Sequence, residues 1–367
     1  PTLETAVDSK TGKLVSELED DDEHLIVRVL ACALAPGDWR LFQGKTDMLQ
    51  LPKYGRPYVL GSDICGIVTE VATTTNNENN KKKDEESYFQ VGDKIIARFD
   101  EPQPVGMCAE YACVKARFSE KCPSSIPSIH ACTLPASAAA AKLVAERFVT
   151  SGDRILLLGA SGGVGTFVSQ YIKLQGASFL AATTTQAKLA QSLGVDRVID
   201  YRTENWWELE SEFQDKPFDK VIDLVNGDNW TRGARSGTKV LPNKVPYVQL
   251  ITGVQTEIDM SRIFGMVSFL GTMLGRSLVS KFSPSCPKWE TPQGLDLQPG
   301  DLKKVLNDVD TGKIRVILDP KGPFAFTSQG VREAMKMVQS KHAHGKVVIE
   351  IAKDEIVKEQ SNNIVYN

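Results

Sequence analysis

Arg154-Ile155-Leu156-Leu157-Leu158, followed by Gly159-Ala160-Ser161-Gly162-Gly163-Val164-Gly165, is the stretch that decides the fold. Its first five residues read as an apolar strand, and Gly163 to Leu174 reads as a helix. Val164, Phe167, Val168, Tyr171 and Ile172 recur there at three- and four-residue spacing, and Gly176 suits the C-terminal cap. A glycine-rich turn between a strand and a helix is the setting of a dinucleotide-binding fingerprint. Without a Cβ at Gly162, backbone can approach a pyrophosphate, and Gly165 lets the helix lie close to the sheet. Free N–H groups and the positive end of the helix dipole then face the phosphates. Ala160 stands at the first position of the usual G-x-G-x-x-G. Ala160, Ser161, Gly162, Gly163, Val164 and Gly165 are the candidate pyrophosphate site; the alternative is a tight turn that excludes a dinucleotide.

Outward from this turn, strand and helix patterns alternate. Ser178 to Ala182 reads as a second strand, Gln186 to Leu193 as a helix ended by Gly194, and Arg197 to Asp200 as a third strand. Lys220 to Val225 and Tyr247 to Ile251 follow as a fourth and fifth. This alternation implies an α/β, doubly wound parallel sheet. The residue that binds a ribose falls about 20 positions past the glycines. Here that region is Thr183-Thr184-Thr185-Gln186-Ala187-Lys188, with no acid. A carboxylate would repel a 2′-phosphate, whereas the hydroxyls of Thr183 and Thr184 and the ammonium of Lys188 can bind one. This favours NADPH over NADH; the plainer reading of Lys188 is a solvated helix residue.

Upstream the pattern differs. Leu25 to Leu30, Ile64 to Val71, Lys94 to Arg98 and Ala109 to Val114 are short β-type runs punctuated by Gly and Pro, as in a barrel-like domain. Thr73 to Glu86 is a polar, low-complexity insertion, read as a solvated hairpin excursion. Ala136 to Val149 is a strong helix former, and the tail holds helices at Asp301 to Thr311 and Gln329 to Ser340 before a final strand ending at Ile351. The expected division is 1–134 and 301–367 for a split β-rich domain, with 135–300 for the nucleotide domain.

Composition sets further bounds. With 367 residues, a net charge of −3 and 24 % charged residues, the chain suits two folded domains and lacks the basic balance of a nucleic-acid binder. No stretch reads as the roughly 20 apolar residues of a membrane span. Seven cysteines at irregular spacing, with no C-x-x-C, and four histidines give no metal-ligand pattern; reduced thiols are expected. No signal peptide is visible, so a cytoplasmic location is expected, with an organelle open because the chain begins at Pro1.

These motifs, taken in order, resemble the zinc-free, zeta-crystallin-like quinone oxidoreductase branch of the medium-chain dehydrogenase/reductase superfamily. The resemblance runs from the Val29 strand through Pro36-Gly37-Asp38-Trp39, Gly61-Ser62-Asp63-Ile64-Cys65-Gly66, Val91-Gly92-Asp93-Lys94, Ala109-Glu110-Tyr111, Leu134-Pro135, the glycine turn, Leu193-Gly194-Val195-Asp196 and Val198-Ile199-Asp200-Tyr201 to Gly345-Lys346-Val347-Val348. It implies a GroES-like β-barrel catalytic domain with an inserted Rossmann domain. It also implies that Lys188 and Tyr201 contact the 2′-phosphate, that Ser161 to Val164 hold the pyrophosphate, and that Leu250, Ile251 and Thr252 approach the nicotinamide. Lys346 matches a lysine near the cofactor cleft.

The departures are as informative. The catalytic Cys and ligand His of zinc alcohol dehydrogenases would fall near Pro36-Gly37-Asp38 and Ser62, and neither is present. Ala35 replaces a frequent Asn and Ala140 a frequent Thr, which removes two polar groups. The implied chemistry is hydride transfer from NADPH to a quinone or an α,β-unsaturated carbonyl without zinc, with donors stabilising the developing oxyanion. Tyr54 is the candidate proton donor, against a half-buried barrel residue. Trp39 is a candidate pocket wall, Asp38 and Asp63 are expected in turn or capping bonds, and Cys65 is expected to be buried. The alternatives are a non-catalytic NADPH-binding protein and an enoyl-thioester reductase. A homodimer is implied, with the segment from Lys239 to Lys281, which includes Phe264, Phe269, Met273 and Leu274, facing dimer and substrate; an amphipathic core helix is the plainer reading.

Overall fold

The computed structural model describes residues 23–43, 59–72, 87–99, 106–235, 240–250, 262–291, 297–298 and 300–354. Tyr54, Ile251, Thr252 and the insertion at 73–86 lie outside the described residues. Two sheets organise the rest. The first is built from β1 (His24–Leu34), β2 (Asp63–Ala72), β3 (Lys94–Arg98), β4 (Tyr111–Lys115), β5 (Ser119–Lys121), β12 (Phe324–Ala325) and β13 (Val347–Glu350). Its order is β12-β13-β1-β2-β3-β5, with β4 pairing β1 beside β13. The tail therefore closes a sheet that the first hundred residues begin: Ala33 faces Asp63 on one side and Val348 on the other.

The second sheet holds β6 (Arg154–Leu158), β7 (Phe179–Thr183), β8 (Arg197–Ile199), β9 (Lys220–Asp223), β10 (Pro246–Gln249) and β11 (Lys288–Glu290). Every pairing in it is parallel, in the order β11-β10-β9-β6-β7-β8. This is the dinucleotide-binding strand order, with its switch point between β6 and β9. The sequence alternation predicts five strands; β11 is a sixth. Apolar strands buried on both faces explain the continuous Ile155-Leu156-Leu157-Leu158 run, all of it buried.

The helices follow from the same patterning. α1 (Pro36–Phe42) starts at a proline, and α2 is Ser128–Ala131. The expected helix at 136–149 begins with a π-helical turn at Leu134–Ala138 and continues as α3 (Ala139–Phe148). α4 (Gly165–Leu174) packs against α3 and β7, with Phe167, Val168, Tyr171 and Ile172 fully buried. α5 (Ala187–Ser192), α6 (Glu210–Phe213) and α7 (Asn229–Arg235) cover the second sheet. α8 (Ile263–Phe282), α9 (Asp301–Asp310) and α10 (Ser328–Ser340) complete the described elements.

One hydrophobic core is shared between the sheets. Ala31, Ala33, Cys65 and Ile96 of the first join Ile155, Leu157, Ile222 and Val248 of the second in a single cluster, through Leu134, Ala138 and Phe167 of the intervening helices. By contrast, α8 is not the core helix that its apolar composition predicts. Its outward residues are exposed, and only 12 % of its most apolar window is buried. By length and hydropathy alone it is long and apolar enough to cross a membrane.

Candidate functional site

The carboxyl ends of β6 and β7 carry the site. Gly159 takes the chain out of β6 with φ +94°, a left-handed conformation that favours glycine. Its N–H donates to the Thr183 carbonyl and to Thr183 Oγ1 (3.0 Å), which fastens the turn to the end of β7. A Cβ at Gly165 would lie 2.0 Å from the Gly159 carbonyl oxygen, so this position holds helix and strand together. At Gly162 a Cβ would meet nothing nearer than 3.9 Å. The turn is thus closed on its inner side at Gly165 and open at Gly162, the geometry that leaves room for a bound oxyanion.

The tail packs against this turn. Gly345 N–H donates to the Ser161 carbonyl (2.9 Å), and Gly162 and Gly345 form a parallel bridge. A Cβ at Gly163 would come within 2.9 Å of Lys346 Cδ. Lys346 itself is 4 % exposed, and its ammonium donates to Ser137 Oγ (2.8 Å) and the Leu34 carbonyl (3.4 Å). The side chain therefore starts beside the glycine turn and ends at the seam between β1 and the π-helical turn. Ser137 was not singled out from sequence; it supplies a hydroxyl one turn before Ala140.

Two buried carboxyls share this seam. The Asp38 carboxylate accepts from Ala35 N–H (2.7 Å) and Gly61 N–H (2.9 Å), which caps α1 and pins residue 61. Burial raises its pKa, against those bonds and the Lys346 charge. Asp63 is 1 % exposed, and neither carboxylate oxygen has a partner among the described residues, so the expected turn or capping bond is absent there. Burial pushes it up to about 6, opposed by Lys346 and Arg98 and reinforced by Asp38. Along the strands Ala33, Asp63 and Arg98 are register partners, and Ala33 belongs to the core shared between the sheets.

At the adenosine end, Thr183 and Thr184 are buried. Their hydroxyl oxygens already accept from Gly159 N–H and Gln186 N–H (3.0 Å each). Lys188 is exposed on α5, and Tyr201 is 53 % exposed after β8. Arg202 pairs with Asp200 (2.5 Å) and holds that carboxyl at about 2. His344, which sequence reading missed, places Nε2 3.1 Å from Gln186 Nε2, while its backbone N–H donates to Asp319 Oδ2 (2.8 Å). The signal for it is its place two residues before Lys346.

At the other end, Leu250 N–H donates to the Asp223 carbonyl (3.1 Å), so Leu250 lies past the ends of β9 and β10. The buried Asp223 carboxylate gathers Val225 N–H, Asn226 N–H and Tyr247 OH (2.7 Å). Burial raises its pKa despite these donors. Trp39 stacks on Phe42 with centroids 5.7 Å apart. Cys65 is buried, as expected, and donates to Ser128 Oγ (3.5 Å). Among the described residues no group of three or more His, Cys, Asp or Glu is placed to hold a metal ion.

Comparison with known proteins agrees with this geometry. Residues 21–128 match the alcohol dehydrogenase GroES-like domain, and residues 193–349 match the zinc-binding dehydrogenase family. The chain is 30 % identical over 343 residues to the chloroplastic NADPH-dependent alkenal/one oxidoreductase of Arabidopsis thaliana, covering 92 % of this chain and 74 % of that one. It is 29 % identical to the mitochondrial NAD(P)H oxidoreductase RTN4IP1 of Homo sapiens, covering 89 % and 81 %. The quinone oxidoreductase of Coxiella burnetii superposes with a TM-score of 0.67 at 21 % identity, covering 89 % of this chain and 90 % of that one. With the barrel-like and parallel sheets, the open glycine turn and these relatives together, the chain belongs to the medium-chain dehydrogenase/reductase superfamily, in its quinone oxidoreductase branch.

Proposed function

We propose that this oxidoreductase uses NADPH to reduce a quinone or an α,β-unsaturated carbonyl, without zinc. The observation that carries the reading is the glycine turn open at Gly162 beside a β7 end with no carboxylate. The NADPH-dependent alkenal/one relative supports the cofactor and the substrate class. NADPH supplies the hydride when bound. The backbone N–H groups of residues 161–165 hold the pyrophosphate, and Gly162 gives it room. Lys188 and Tyr201 flank the 2′-phosphate, with Thr183 and Thr184 shaping the wall behind it. Leu250, with Ile251 and Thr252, bounds the nicotinamide. Lys346 keeps the tail seated on the turn and places a positive charge at the seam. Tyr54 is the proposed proton donor. The proposed chemistry uses no zinc, and the chelator arm of the test below checks this.

Residues 1–134 and 301–367 are assigned to the catalytic domain and 135–300 to the nucleotide domain. A homodimer belongs to the same proposal. The relatives' locations, a chloroplast and a mitochondrion, support an organelle over the cytoplasm.

The test is NADPH oxidation with 9,10-phenanthrenequinone, 1,4-benzoquinone and a simple enone, with NADH in parallel and with chelator present or absent. Turnover preferring NADPH and indifferent to chelator is expected. NADPH that raises Tm without turnover would favour the non-catalytic reading, to which Ala35 and Ala140 point. Failure to bind either nucleotide overturns the proposal.

A further inference from the structure

Two loops of the proposed nucleotide site, the glycine turn and the stretch from Thr183 to Lys188, are joined where Gly159 N–H donates to Thr183. The tail joins them at a second point. Gly345 N–H donates to the Ser161 carbonyl (2.9 Å), and the ring of His344, one residue earlier, places Nε2 3.1 Å from Gln186 Nε2. The backbone of His344 is fixed from behind. Its N–H donates to Oδ2 of buried Asp319 (2.8 Å), whose Oδ1 accepts from Lys321 N–H (3.0 Å). The tail also holds the far end of α5, where Arg315 donates to the Ser192 carbonyl and hydroxyl. The helix that carries exposed Lys188 is thus tied to the tail at both ends, and the tail is tied to the glycine turn.

The partner of the ring decides its tautomer. An amide nitrogen only donates, so His344 Nε2 accepts from Gln186 and Nδ1 carries the proton. That Nδ1–H is buried and has no partner among the described residues. An unpaired buried donor weighs against stability. What the placement secures is the spacing between Ser161 and Gln186.

We propose that His344 is a positioning residue for cofactor choice: through Gln186 it fixes the distance from the pyrophosphate turn to the Lys188 side of the β7–α5 loop. This rests on the NADPH reading above. A nucleotide with phosphate on both its 5′ and 2′ oxygens is then gripped at two anchors of set spacing. Slack between the anchors must be ordered on binding, which lowers affinity for such a ligand. A nucleotide without the 2′-phosphate has one anchor and is indifferent to the spacing.

Calorimetric titration of the full chain with 2′,5′-ADP and 5′-AMP, and with NADPH and NADH, tests this without turnover. The parent is expected to prefer 2′,5′-ADP and NADPH. His344→Asn is too short to reach Gln186, and Gln186→Met removes the donor. Each is expected to weaken 2′,5′-ADP roughly tenfold and to leave 5′-AMP and NADH unchanged. Combined, they are expected to lose no more than either alone, because both remove the same bond. His344→Gln sets an amide oxygen where Nε2 stands and deletes the unpaired Nδ1–H. It is expected to keep the preference with a Tm no lower than the parent's. A parent that binds both members of each pair alike removes the NADPH reading and this inference with it. With the parent's preference intact, the positioning role alone is overturned by a His344→Asn protein that keeps that preference or loses both nucleotides in parallel. Additive losses in the double variant, or a His344→Gln protein without the preference, overturn it equally.

Discussion

At the scale of single residues, the glycine turn separates two uses of a missing side chain. Gly162 faces open space, while Gly165 has the Gly159 carbonyl where its Cβ would stand. Gly165→Ala must push the start of α4 off β6, an overpacking cost of about 1–3 kcal/mol. Its Tm is expected to fall, with NADPH affinity lost at least roughly tenfold as the N–H groups lose their aim. Gly162→Ala should leave Tm nearly unchanged and weaken only the nucleotide. Thermal melts with fluorescence titration of NADPH separate the two; a Gly165→Ala protein with native Tm and affinity would contradict this division. The turn was legible in sequence because its chemistry is local: seven consecutive residues define it. Ser137 and His344 were not, because their partners, Lys346 and Gln186, lie 209 and 158 residues away. Asp63 was misread for a related reason. A carboxyl at a strand start beside glycine looks like a turn former until register places it in the seam.

Among the elements, periodicity reported helix and strand type well and environment poorly. The β–α alternation gave the parallel sheet because strands buried on both faces must be uniformly apolar. β11 escaped because Lys288-Trp289-Glu290 is three residues long with two charges. The apolar run of α8 is compatible with a core and with an outward face alike, so sequence alone left both readings open, and the exposed residues of α8 favour the outward one. Capping is more informative. Thr327 Oγ1 accepts from Gly330 N–H (3.1 Å) at the start of α10, and Lys341 ends that helix with φ +59°. Thr327→Ala leaves the Gly330 N–H without that partner. It is expected to lower unfolding free energy by about 1 kcal/mol, with Ser at the same position restoring most of it. Denaturant titration of the three proteins checks this, and an Ala variant as stable as the parent would show that the cap carries no weight.

The whole molecule is joined at the seam where Asp38, Asp63, Arg98 and Lys346 meet the shared core. Asp63 has a folded pKa pushed up to about 6, above the ordinary 3.8. A raised carboxyl binds its proton more tightly when folded. Its stabilising contribution is therefore complete below pH 3.8 and is lost as the pH rises through about 6. At neutral pH the buried charge then costs on the order of 2–3 kcal/mol. Asp63→Asn is expected to raise Tm at pH 8 and to give a much smaller gain at pH 4.5, as melting across that range will show. A difference of the opposite sign, or one that ignores pH, would mean that the Lys346 and Arg98 charges already compensate it.

The pairing of Ala33 with Val348 has a consequence in time. A ribosome makes β1 long before β13, with more than three hundred residues between them. At roughly 5–20 residues per second, β1 waits on the order of 15–60 s for that neighbour. During that interval the Ala31–Leu34 half of its edge is bare, while β4 can already cover His24–Arg28; the shared core lacks Val348, and the glycine turn lacks the tail bridge at Gly345. A nascent chain of this protein is therefore a client for whatever shields unpaired strands. The finished nucleotide site therefore waits for Gly345 and its bridge to Gly162, not for the moment when its glycines are made.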